Sequence, residues 1–410
     1  MVQNVAQQEG GGFGMKPASG CKLFGAYQAL GGVRDSVVLF HSVVGCNFGS
    51  MALHVAQDMR DIRQTCTVIS DSDVVFSGEG SLERAVRSAL ELFQPAALFV
   101  ISGCVSEMIG DDIPAVLARV PHEIPLIHVE AAGFRGDASA GLEAGWLALL
   151  SLMEPPVPRS DTCPIVNLIG LGMDDPHGDD DIEALQSLIA PQATLGTVFS
   201  RCTLNEVRRA PSADLNLVLR GHGLALAKAM EARFGIPWEE LDYPYGATGA
   251  DDLWGRLERR FGLDYHQSRV ELDRQIAAGA GRAYRYVQAL YGMPAALLAT
   301  GPRADGLKRF LEQELGMEVV CFAHREALFD QKDFYHELRR SEAALLFGSS
   351  FEQGVADELE IPLIRIDYPV FDEVYLTSHP HLGGIGMLHL LEDIFRSIIS
   401  GRTLKGALYQ

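Results

Sequence analysis

The chain has 410 residues, of which 47% are hydrophobic and 21% are charged, and its formal net charge is -20. This length exceeds one ordinary hydrophobic core and predicts two or three domains of about 100–200 residues each. The negative charge argues against a nucleic-acid partner, and no apolar run approaches the roughly 18–20 residues that a membrane span requires.

The N-terminus and the cysteine count bear on the compartment. Residues 1–20 lack the basic start and apolar run of a signal peptide and are expected to form a flexible arm. The seven cysteines are an odd number, which favours free thiols in a reduced cytoplasm over a disulfide framework. We therefore predict a cytoplasmic protein that does not associate with membranes.

In chain order, short apolar runs alternate with segments of helical periodicity. Strand-like runs in the first third lie at 36–41, 65–70, 97–102 and 124–129, and a helical pattern covers 81–93. The proline-rich stretch 153–164 predicts a linker. This alternation of strand and helix is typical of βαβ units with parallel strands.

The same alternation returns twice after the linker. Strand-like runs follow at 164–170, 195–200 and 215–219 before a long helical section at 251–291, and then at 295–301, 318–323, 343–348 and 362–367 before a closing helix at 386–399. The predicted fold class is α/β, with three consecutive doubly wound Rossmann-like domains and parallel sheets. The predicted boundaries are 1–20 for the arm and 21–155, 156–290 and 291–410 for the domains.

Three cysteines share a local pattern in which glycine comes directly before the thiol. They are Cys21, Cys46 and Cys104, all in the first predicted domain, and the last two come after strands. Ligands of parallel sheets bind outside the carboxyl ends of the strands. Glycine allows a bulky group to approach the backbone closely, and helix N-termini offer free N–H groups. The three thiols therefore predict the ligands of an iron–sulfur cluster.

Three cysteines make an incomplete ligand set, because a four-iron cluster usually takes four protein ligands. The remainder would come from Cys66, from a side chain other than cysteine, or from a second subunit, and a cluster shared across a subunit interface is the interpretation that we favour. The competing interpretation is that the three Gly-Cys pairs only pack the core. A zinc ribbon is disfavoured because no C-x-x-C spacing is present, and a catalytic cysteine would require His41 or His128 as its base.

Two segments of the second predicted domain carry weaker signals. Gly221 and Gly223 lie between a strand and a helix, as in a dinucleotide-binding turn, but the third glycine is absent. Five aspartates surround His177, a pattern that more often marks a solvated loop and a helix cap than a metal site.

Two further segments contain histidines or paired aspartates. His379 and His381 lie in a glycine-rich loop before the last helix, where a ligand or proton-relay role competes with a plain surface loop. Asp111 and Asp112 are expected to cap the helix that follows them rather than to act in acid–base catalysis.

Four segments of the first predicted domain carry a family resemblance. They are GCKLFGAYQAL (20–30), FHSVVGC (40–46), VVFSGEGSLERAV (74–86) and SGCVSEMIGDDI (102–113). Together they resemble component 1 of the nitrogenase-like reductases. This superfamily includes nitrogenase, its cofactor-assembly scaffold, the protochlorophyllide and chlorophyllide reductases, and the methylthio-alkane reductases. The resemblance implies that Cys21, Cys46 and Cys104 ligate an iron–sulfur cluster at the interface with a partner chain.

Later segments look like those of β-type chains in that superfamily. The similar segments are CTLNEVRRAPSADLNLVL (202–219) and the stretch from residue 360 to 394. In α-type nitrogenase chains a cysteine and a histidine hold the large catalytic cofactor, whereas this chain has Arg220 and Leu382 there, with His381 one residue away. The resemblance thus implies a large iron–sulfur metallocofactor in an α-type partner. This chain would share a P-cluster-like eight-iron cluster or a four-iron cluster with that partner.

The resemblance also implies an assembly and a reaction. It implies an α2β2 heterotetramer that receives electrons from a separate ATP-dependent iron–sulfur reductase. The chain is most similar to the methylthio-alkane reductase β subunit, which implies reductive C–S cleavage of methyl thioethers. The alternatives are a nitrogenase β chain, a cofactor-assembly scaffold subunit, a tetrapyrrole reductase subunit, or a nucleotide-dependent enzyme that uses Gly221 and Gly223.

Overall fold

The computed structural model describes residues 20–54, 63–159, 162–219, 221–327 and 331–404. Over these residues the chain forms three four-stranded sheets in which every strand pair is parallel. Helices connect the strands, so the predicted α/β class with three doubly wound sheets is confirmed. The predicted arm lies outside the described residues except for Gly20.

The first sheet and its helices extend from residue 22 to residue 149. The elements are α1 (Lys22–Leu30), β1 (Val37–His41), α2 (Val44–His54), β2 (Gln64–Cys66), α3 (Asp71–Phe76), α4 (Glu79–Phe93), β3 (Leu98–Ser102), α5 (Cys104–Ile109), α6 (Ile113–Arg119), β4 (Leu126–Glu130) and α7 (Ala138–Leu149). The strand order is β2-β1-β3-β4. The two central strands, β1 and β3, are buried along their whole length.

The second sheet follows the proline-rich stretch. Its elements are β5 (Ile165–Ile169), α8 (Gly178–Ile189), β6 (Thr194–Val198), α9 (Leu204–Arg209), β7 (Leu215–Leu219), α10 (Leu224–Phe234), β8 (Trp238–Leu241), α11 (Gly246–Phe261), α12 (His266–Arg282) and α13 (Tyr284–Ala289). The strand order is β6-β5-β7-β8. The long helical section predicted at 251–291 is therefore three helices.

The third sheet completes the chain. Its elements are β9 (Pro294–Ala299), α14 (Gly301–Gln313), β10 (Glu318–His324), α15 (Gln331–Arg340), β11 (Leu345–Gly348), α16 (Gln353–Leu359), β12 (Leu363–Arg365) and α17 (Gly383–Leu404). The strand order is β10-β9-β11-β12, the same topology as in the other two sheets. No helix among the described residues is long and apolar enough to cross a membrane.

Every strand that the sequence predicted is present, and the sheet-central ones read as continuous apolar runs because both of their faces are buried. The sequence analysis missed the edge strand β8, since its segment Trp238–Leu241 carries two glutamates. Strand β2 is shorter than predicted and ends at Cys66. Val68 adopts a left-handed backbone (φ 55°), a conformation incompatible with continuing the strand.

Shared cores join the three sheets. One buried cluster contains Val38 and Phe40 of the first sheet together with Ile169 and Val218 of the second. Another joins the second sheet to the third and includes Leu217 and Leu297. The three βα units are therefore packed against one another through apolar contacts.

Glycines allow an unusually close approach between α1 and α7. A Cβ atom added at Gly25 would lie 1.8 Å from the carbonyl oxygen of Ala138, and one added at Gly141 would lie 2.0 Å from that of Lys22. Only glycine fits at both positions. The Lys22 N–H also donates to the Gly136 carbonyl at 3.0 Å, so the start of α1 is fixed against the loop that follows β4.

Candidate metal centre

Three cysteines that the sequence analysis selected come together at the carboxyl edge of the first sheet. Cys21 directly precedes α1, Cys46 lies in the first turn of α2, and Cys104 begins α5. A Cβ atom added at Gly133, in the loop after β4, would lie 3.4 Å from the Cys104 sulfur and 3.7 Å from the Cys21 sulfur. All three cysteines are half-buried and none is in a disulfide.

The Cys104 sulfur accepts a hydrogen bond from the backbone of the same loop. The N–H of Gly133 donates to Cys104 Sγ at 3.1 Å. A thiolate accepts such a bond more strongly than a thiol does, because its charge is concentrated on the sulfur. The loop thus presents a backbone donor to the Cys104 sulfur.

Glu107, a residue that the sequence analysis did not select, holds this loop in place. Its Oε1 accepts hydrogen bonds from the N–H groups of Ala131 and Ala132, both at 2.9 Å, and from the Ser102 hydroxyl at 2.8 Å. Its Oε2 pairs with Arg135 at 2.5 Å. Its place one turn after Cys104 on α5 was the available signal, but an acidic residue in a first helical turn is common for other reasons.

The electrostatic environment of the thiols favours a bound cation over free thiolates. Burial raises the pKa of Cys21, the N–H groups of Phe24 and Leu23 oppose that shift, and the neighbouring Cys46 and Cys104 raise the pKa further. Three converging thiolates without a counter-ion are therefore unfavourable. Metal ligation requires deprotonated thiols and supplies the missing positive charge, so the arrangement fits a multi-iron group.

Exposed apolar side chains surround the thiols. Phe48 on α2, Phe76 on α3 and Met108 on α5 are 71%, 84% and 70% exposed. Val44 and Phe134 are also more than half exposed. Large exposed apolar patches mark interaction surfaces. Phe48 shares α2 with Cys46 and Met108 shares α5 with Cys104, while Phe76 ends α3, so this part of the first unit has the character of a protein–protein interface.

Of the other four cysteines, only Cys66 lies near the three. Cys202 and Cys321 are buried, and Cys163 lies in the segment before β5. Burial raises the pKa of the Cys66 thiol, and the nearby charge of Cys46 raises it further. The Cys66 sulfur also lies 3.4 Å from the Ser42 carbonyl, a contact that suits packing of β2. A ligand role for Cys66 stays an alternative.

Neither histidine considered as a base for a catalytic cysteine contacts a thiol. His41 lies between Thr67 Oγ1 at 3.1 Å and Asp111 Oδ2 at 2.9 Å, and His128 lies 3.0 Å from the Ser102 hydroxyl. Burial lowers the pKa of both histidines. Each imidazole is engaged within the sheet and its loops.

The expectation for the paired aspartates was right for one residue only. Asp112 caps α6 and accepts from the Ala115 N–H at 3.0 Å. Asp111 does not cap that helix. It contacts His41 through one carboxylate oxygen and accepts from the Gly78 N–H at 2.9 Å through the other. The tertiary contact with a buried imidazole outweighs the local cap.

The turn with Gly221 and Gly223 is occupied by the chain's own carboxylate. Gly223 precedes α10, and Glu143 accepts hydrogen bonds from the N–H groups of Gly223 and Ala225. A nucleotide phosphate would need these same N–H groups. The alternative of a nucleotide-dependent enzyme therefore has no support at this turn.

The two histidines of the loop before α17 are buried, which excludes the interpretation of this segment as a plain surface loop. His379 and His381 are 7% and 0% exposed, and both contact Asp393 of α17. The ring of His177 lies 4.0 Å from the ring of His381. Two segments that the sequence analysis treated separately are thus adjacent, while no sequence signal had pointed to Asp393.

Leu382 stands where the resemblance places the cofactor histidine of α-type chains, and it lines two cavities. It is 3% exposed, and the cavity that it lines with Leu219 and Tyr243 has a volume of about 10 Å³, enough for about one water molecule. The other cavity, of about 710 Å³, lies between α8, α12 and the start of α17, and its lining also includes Asp180, Glu183 and Glu271. Arg220 lies outside the described residues.

Comparisons with known proteins assign the chain to a family. Residues 21–399 match the family described as "Nitrogenase component 1 type Oxidoreductase". The nitrogenase molybdenum-iron protein alpha chain of Methanothermobacter marburgensis is 27% identical, over 92% of this chain and 87% of that protein. The nitrogenase iron-molybdenum cofactor biosynthesis protein NifE of Rippkaea orientalis is 27% identical, over 93% and 85%.

A solved structure has the same fold. The structure titled "Nitrogenase Cp1 at pH 6.5" superimposes with a TM-score of 0.81, at 18% sequence identity, and covers 96% of this chain and 95% of that chain. At this identity the likeness concerns the fold. The relatives reported above are an alpha chain and a NifE protein, so the β-type assignment stays a prediction.

Proposed function

This chain belongs to the nitrogenase component 1 type oxidoreductases, and we propose that it is a β-type subunit that contributes half of an electron-relay centre. In this proposal Cys21, Cys46 and Cys104 bind an iron–sulfur cluster shared with an α-type partner. The observation that carries the proposal is that Cys21 and Cys104 meet at a loop whose Gly133 N–H points at the Cys104 sulfur, with Cys46 close enough to Cys21 to raise the pKa of its thiol.

The residues around the thiols suit such a group. When bound, an iron–sulfur cluster accepts and releases single electrons at a potential that hydrogen bonds and burial set. Gly133 leaves the space beside two sulfurs free of a side chain, and its N–H stabilises the charge on Cys104. Glu107 holds the loop that presents this N–H. The cluster is either P-cluster-like with eight irons or a four-iron cluster.

The proposed partner is a homologous α-type subunit in an α2β2 heterotetramer. Three cysteines leave a ligand set that a second chain would complete, and the exposed apolar rim around the thiols supports burial at that interface. An ATP-dependent iron–sulfur reductase would supply the electrons. The negative net charge is compatible with these protein partners.

We place substrate reduction at a large metallocofactor in the partner. The support is that Leu382, whose side chain cannot bind iron, stands where the resemblance places the cofactor histidine of α-type chains. We propose methyl thioethers as the substrates, with C–S cleavage as the reaction. The support for this choice is the set of three matched cysteines together with the apolar Leu382 at the cofactor position.

A cofactor-assembly scaffold is the second candidate, and the similarity to NifE proteins favours it. The same three cysteines would serve in either role. A tetrapyrrole reductase stays a further alternative: a macrocycle needs apolar walls, and the 710 Å³ cavity is lined by Leu188, Trp254 and Leu272 as well as by acidic residues.

The decisive experiment compares iron and sulfide content in the complex purified anaerobically with its native partner. We expect Cys104→Ala to lose a discrete share of both and Cys66→Ala, the matched control, to keep them. Equal iron in all three proteins would refute the ligand assignment. Release of methanethiol from a small methyl thioether, with reductase and ATP supplied, would then identify an enzyme, and its absence in an iron-loaded complex would favour the scaffold.

A further inference from the structure

A second cluster of potential metal ligands lies between the second and third sheets, apart from the cysteines. The Nε2 atoms of His379 and His381 lie 2.8 Å and 3.1 Å from the same atom, Oδ2 of Asp393. One ligand atom from each residue lies within 4.8 Å of the others. Among the residues that the structure describes, no other group of three histidine, cysteine or acidic side chains meets this criterion.

All three side chains are buried, and their polar atoms are incompletely paired. His379, His381 and Asp393 are 7%, 0% and 7% exposed. Nδ1 of His381 is buried without a hydrogen-bond partner. If the cluster were held by hydrogen bonds alone, Oδ2 of Asp393 would accept from both imidazoles while its Oδ1, also buried, had no hydrogen-bond donor. Buried polar groups of native proteins rarely remain unpaired, so the carboxylate has capacity for a further ligand.

The backbone of the histidine loop is fixed by carboxylates from another helix. The N–H of His379 donates to Asp180 at 2.7 Å, and the N–H of His381 donates to Asp181 at 2.6 Å. Both aspartates lie in the first turn of α8. The two imidazoles are therefore aimed at Asp393 before any ligand arrives, which is the pre-organisation that a metal site requires.

Neighbouring rings restrict the imidazoles as well. His389 stacks on His379 with ring centroids 4.3 Å apart, and His177 packs against His381 at 4.0 Å. His177 itself has a left-handed backbone (φ 58°), an uncommon conformation that persists where the surroundings enforce it. Of the aspartates around His177, Asp180 and Asp181 fix the histidine loop through their hydrogen bonds to its backbone.

We propose that His379, His381 and Asp393 bind a single divalent transition-metal ion, zinc or ferrous iron. Two imidazole nitrogens and one carboxylate oxygen suit these ions, whereas magnesium and calcium prefer all-oxygen sets. A water molecule completes a tetrahedron. The ion connects the loop before α17 to α17 itself. Because Asp180 and Asp181 of α8 bind the backbone of the same loop, the site also connects the third unit to the second. This site is independent of the proposed cysteine cluster.

The test is X-ray diffraction from the complex purified without chelators and soaked with Zn²⁺, with data on either side of the zinc and iron absorption edges. We expect one anomalous peak bounded by the two Nε2 atoms and Asp393. No peak at either edge would overturn the proposal.

Metal analysis of variants provides the second measurement. His381→Gln and Asp393→Asn should each lose one zinc or iron ion per chain while acid-labile sulfide stays constant. His389→Gln, which removes a stacked ring but no ligand, should keep the ion. Unchanged metal in both ligand variants would contradict the proposal. A loss of sulfide together with the metal would assign the ion to a cluster instead. Should a ligand variant not fold, the anomalous peak of the wild type decides.

Discussion

The Gly133 N–H and the Cys104 sulfur form a hydrogen bond of 3.1 Å that connects the loop after β4 to the start of α5. This bond connects the carboxyl ends of two neighbouring strands, β3 and β4, and a side chain at residue 133 would contact two of the three converging thiols. The loop geometry is therefore coupled directly to the candidate metal centre.

Gly133→Ala should lower the reduction potential of the centre without removing its iron. The added Cβ would lie 3.2 Å from Cys21 Cβ and 3.4 Å from Cys104 Sγ, so the loop must shift and weaken the N–H···S bond. Hydrogen bonds to cluster sulfurs raise the potential because they stabilise the reduced, more negative state. Redox titration followed by electron paramagnetic resonance measures the shift.

Gly45→Ala is the matched control for this substitution. A Cβ atom at Gly45, beside Cys46, meets nothing within 4 Å. Its potential should equal that of the wild type. An equal change in both variants would mean that the hydrogen bond to Cys104 does not set the potential.

Glu107→Ala should destabilise the protein by about 1–3 kcal/mol, because the buried Ala132 N–H loses its acceptor, whereas the Ala131 N–H keeps the Ser102 carbonyl at 3.2 Å. The midpoint of thermal unfolding should fall accordingly. Glu130→Ala is the control, since Glu130 is an exposed partner of the same Arg135 and such pairs contribute about 0–1 kcal/mol. Similar losses in the two variants would contradict the positioning role of Glu107.

Phe76→Asp should weaken assembly with the partner by roughly 30-fold or more, as expected for a buried interface anchor worth about 2 kcal/mol or more. The isolated chain should fold normally, because Phe76 is 84% exposed. Analytical ultracentrifugation of the mixed subunits measures the effect.

Leu92→Asp is the corresponding control for assembly. Leu92 is 76% exposed near the end of α4, on the side opposite the thiols. Its substitution should leave assembly intact. If Phe76→Asp assembled as tightly as the control, the rim of α2, α3 and α5 would not be the interface.

The buried pair of His222 and Glu326 should make stability depend on pH. Burial disfavours the charged imidazolium, but the carboxylate of Glu326 at 3.0 Å outweighs it and raises the pKa of His222. A histidine whose pKa is higher in the folded than in the unfolded protein stabilises the fold fully at pH values below its unfolded pKa of about 6.5. This stabilisation disappears as the pH rises through the folded pKa. The pKa of Glu326 is lowered despite its burial, so its contribution is present above about 4.5.

His222→Gln should therefore lower the free energy of unfolding most between about pH 5 and pH 6, by roughly 3 kcal/mol, and progressively less at higher pH. Thermal unfolding from pH 5 to pH 9 measures the difference from the wild type. His324→Gln is the control, because His324 is a partly exposed histidine with a carboxylate, Asp305, at 3.1 Å. A pH-independent loss in His222→Gln would show that the lost contact is steric rather than ionic.

Much of the fold followed from local pattern. The strands β1, β3, β5, β7 and β9 are sheet-central and buried on both faces, and this is why each one is a continuous apolar run in the sequence. The edge strand β8 was missed because its segment Trp238–Leu241 carries two glutamates and lacks the apolar run by which the other strands were predicted. Asp111 was misassigned because an aspartate that caps a helix and one that contacts a distant imidazole look the same in the sequence.

By itself the sequence determined the α/β class, the order of the three units and the choice of Cys21, Cys46 and Cys104, since burial periodicity and a glycine before a thiol are local properties of the chain. Only the tertiary structure decided which distant groups face these residues. Three contacts show this: the Gly133 N–H donates to Cys104, Glu107 accepts from the backbone of the same loop, and His381 contacts Asp393. They form because parallel strands align their carboxyl ends and because helices pack across the units. Such contacts join residues far apart in the chain, and no local pattern encodes them.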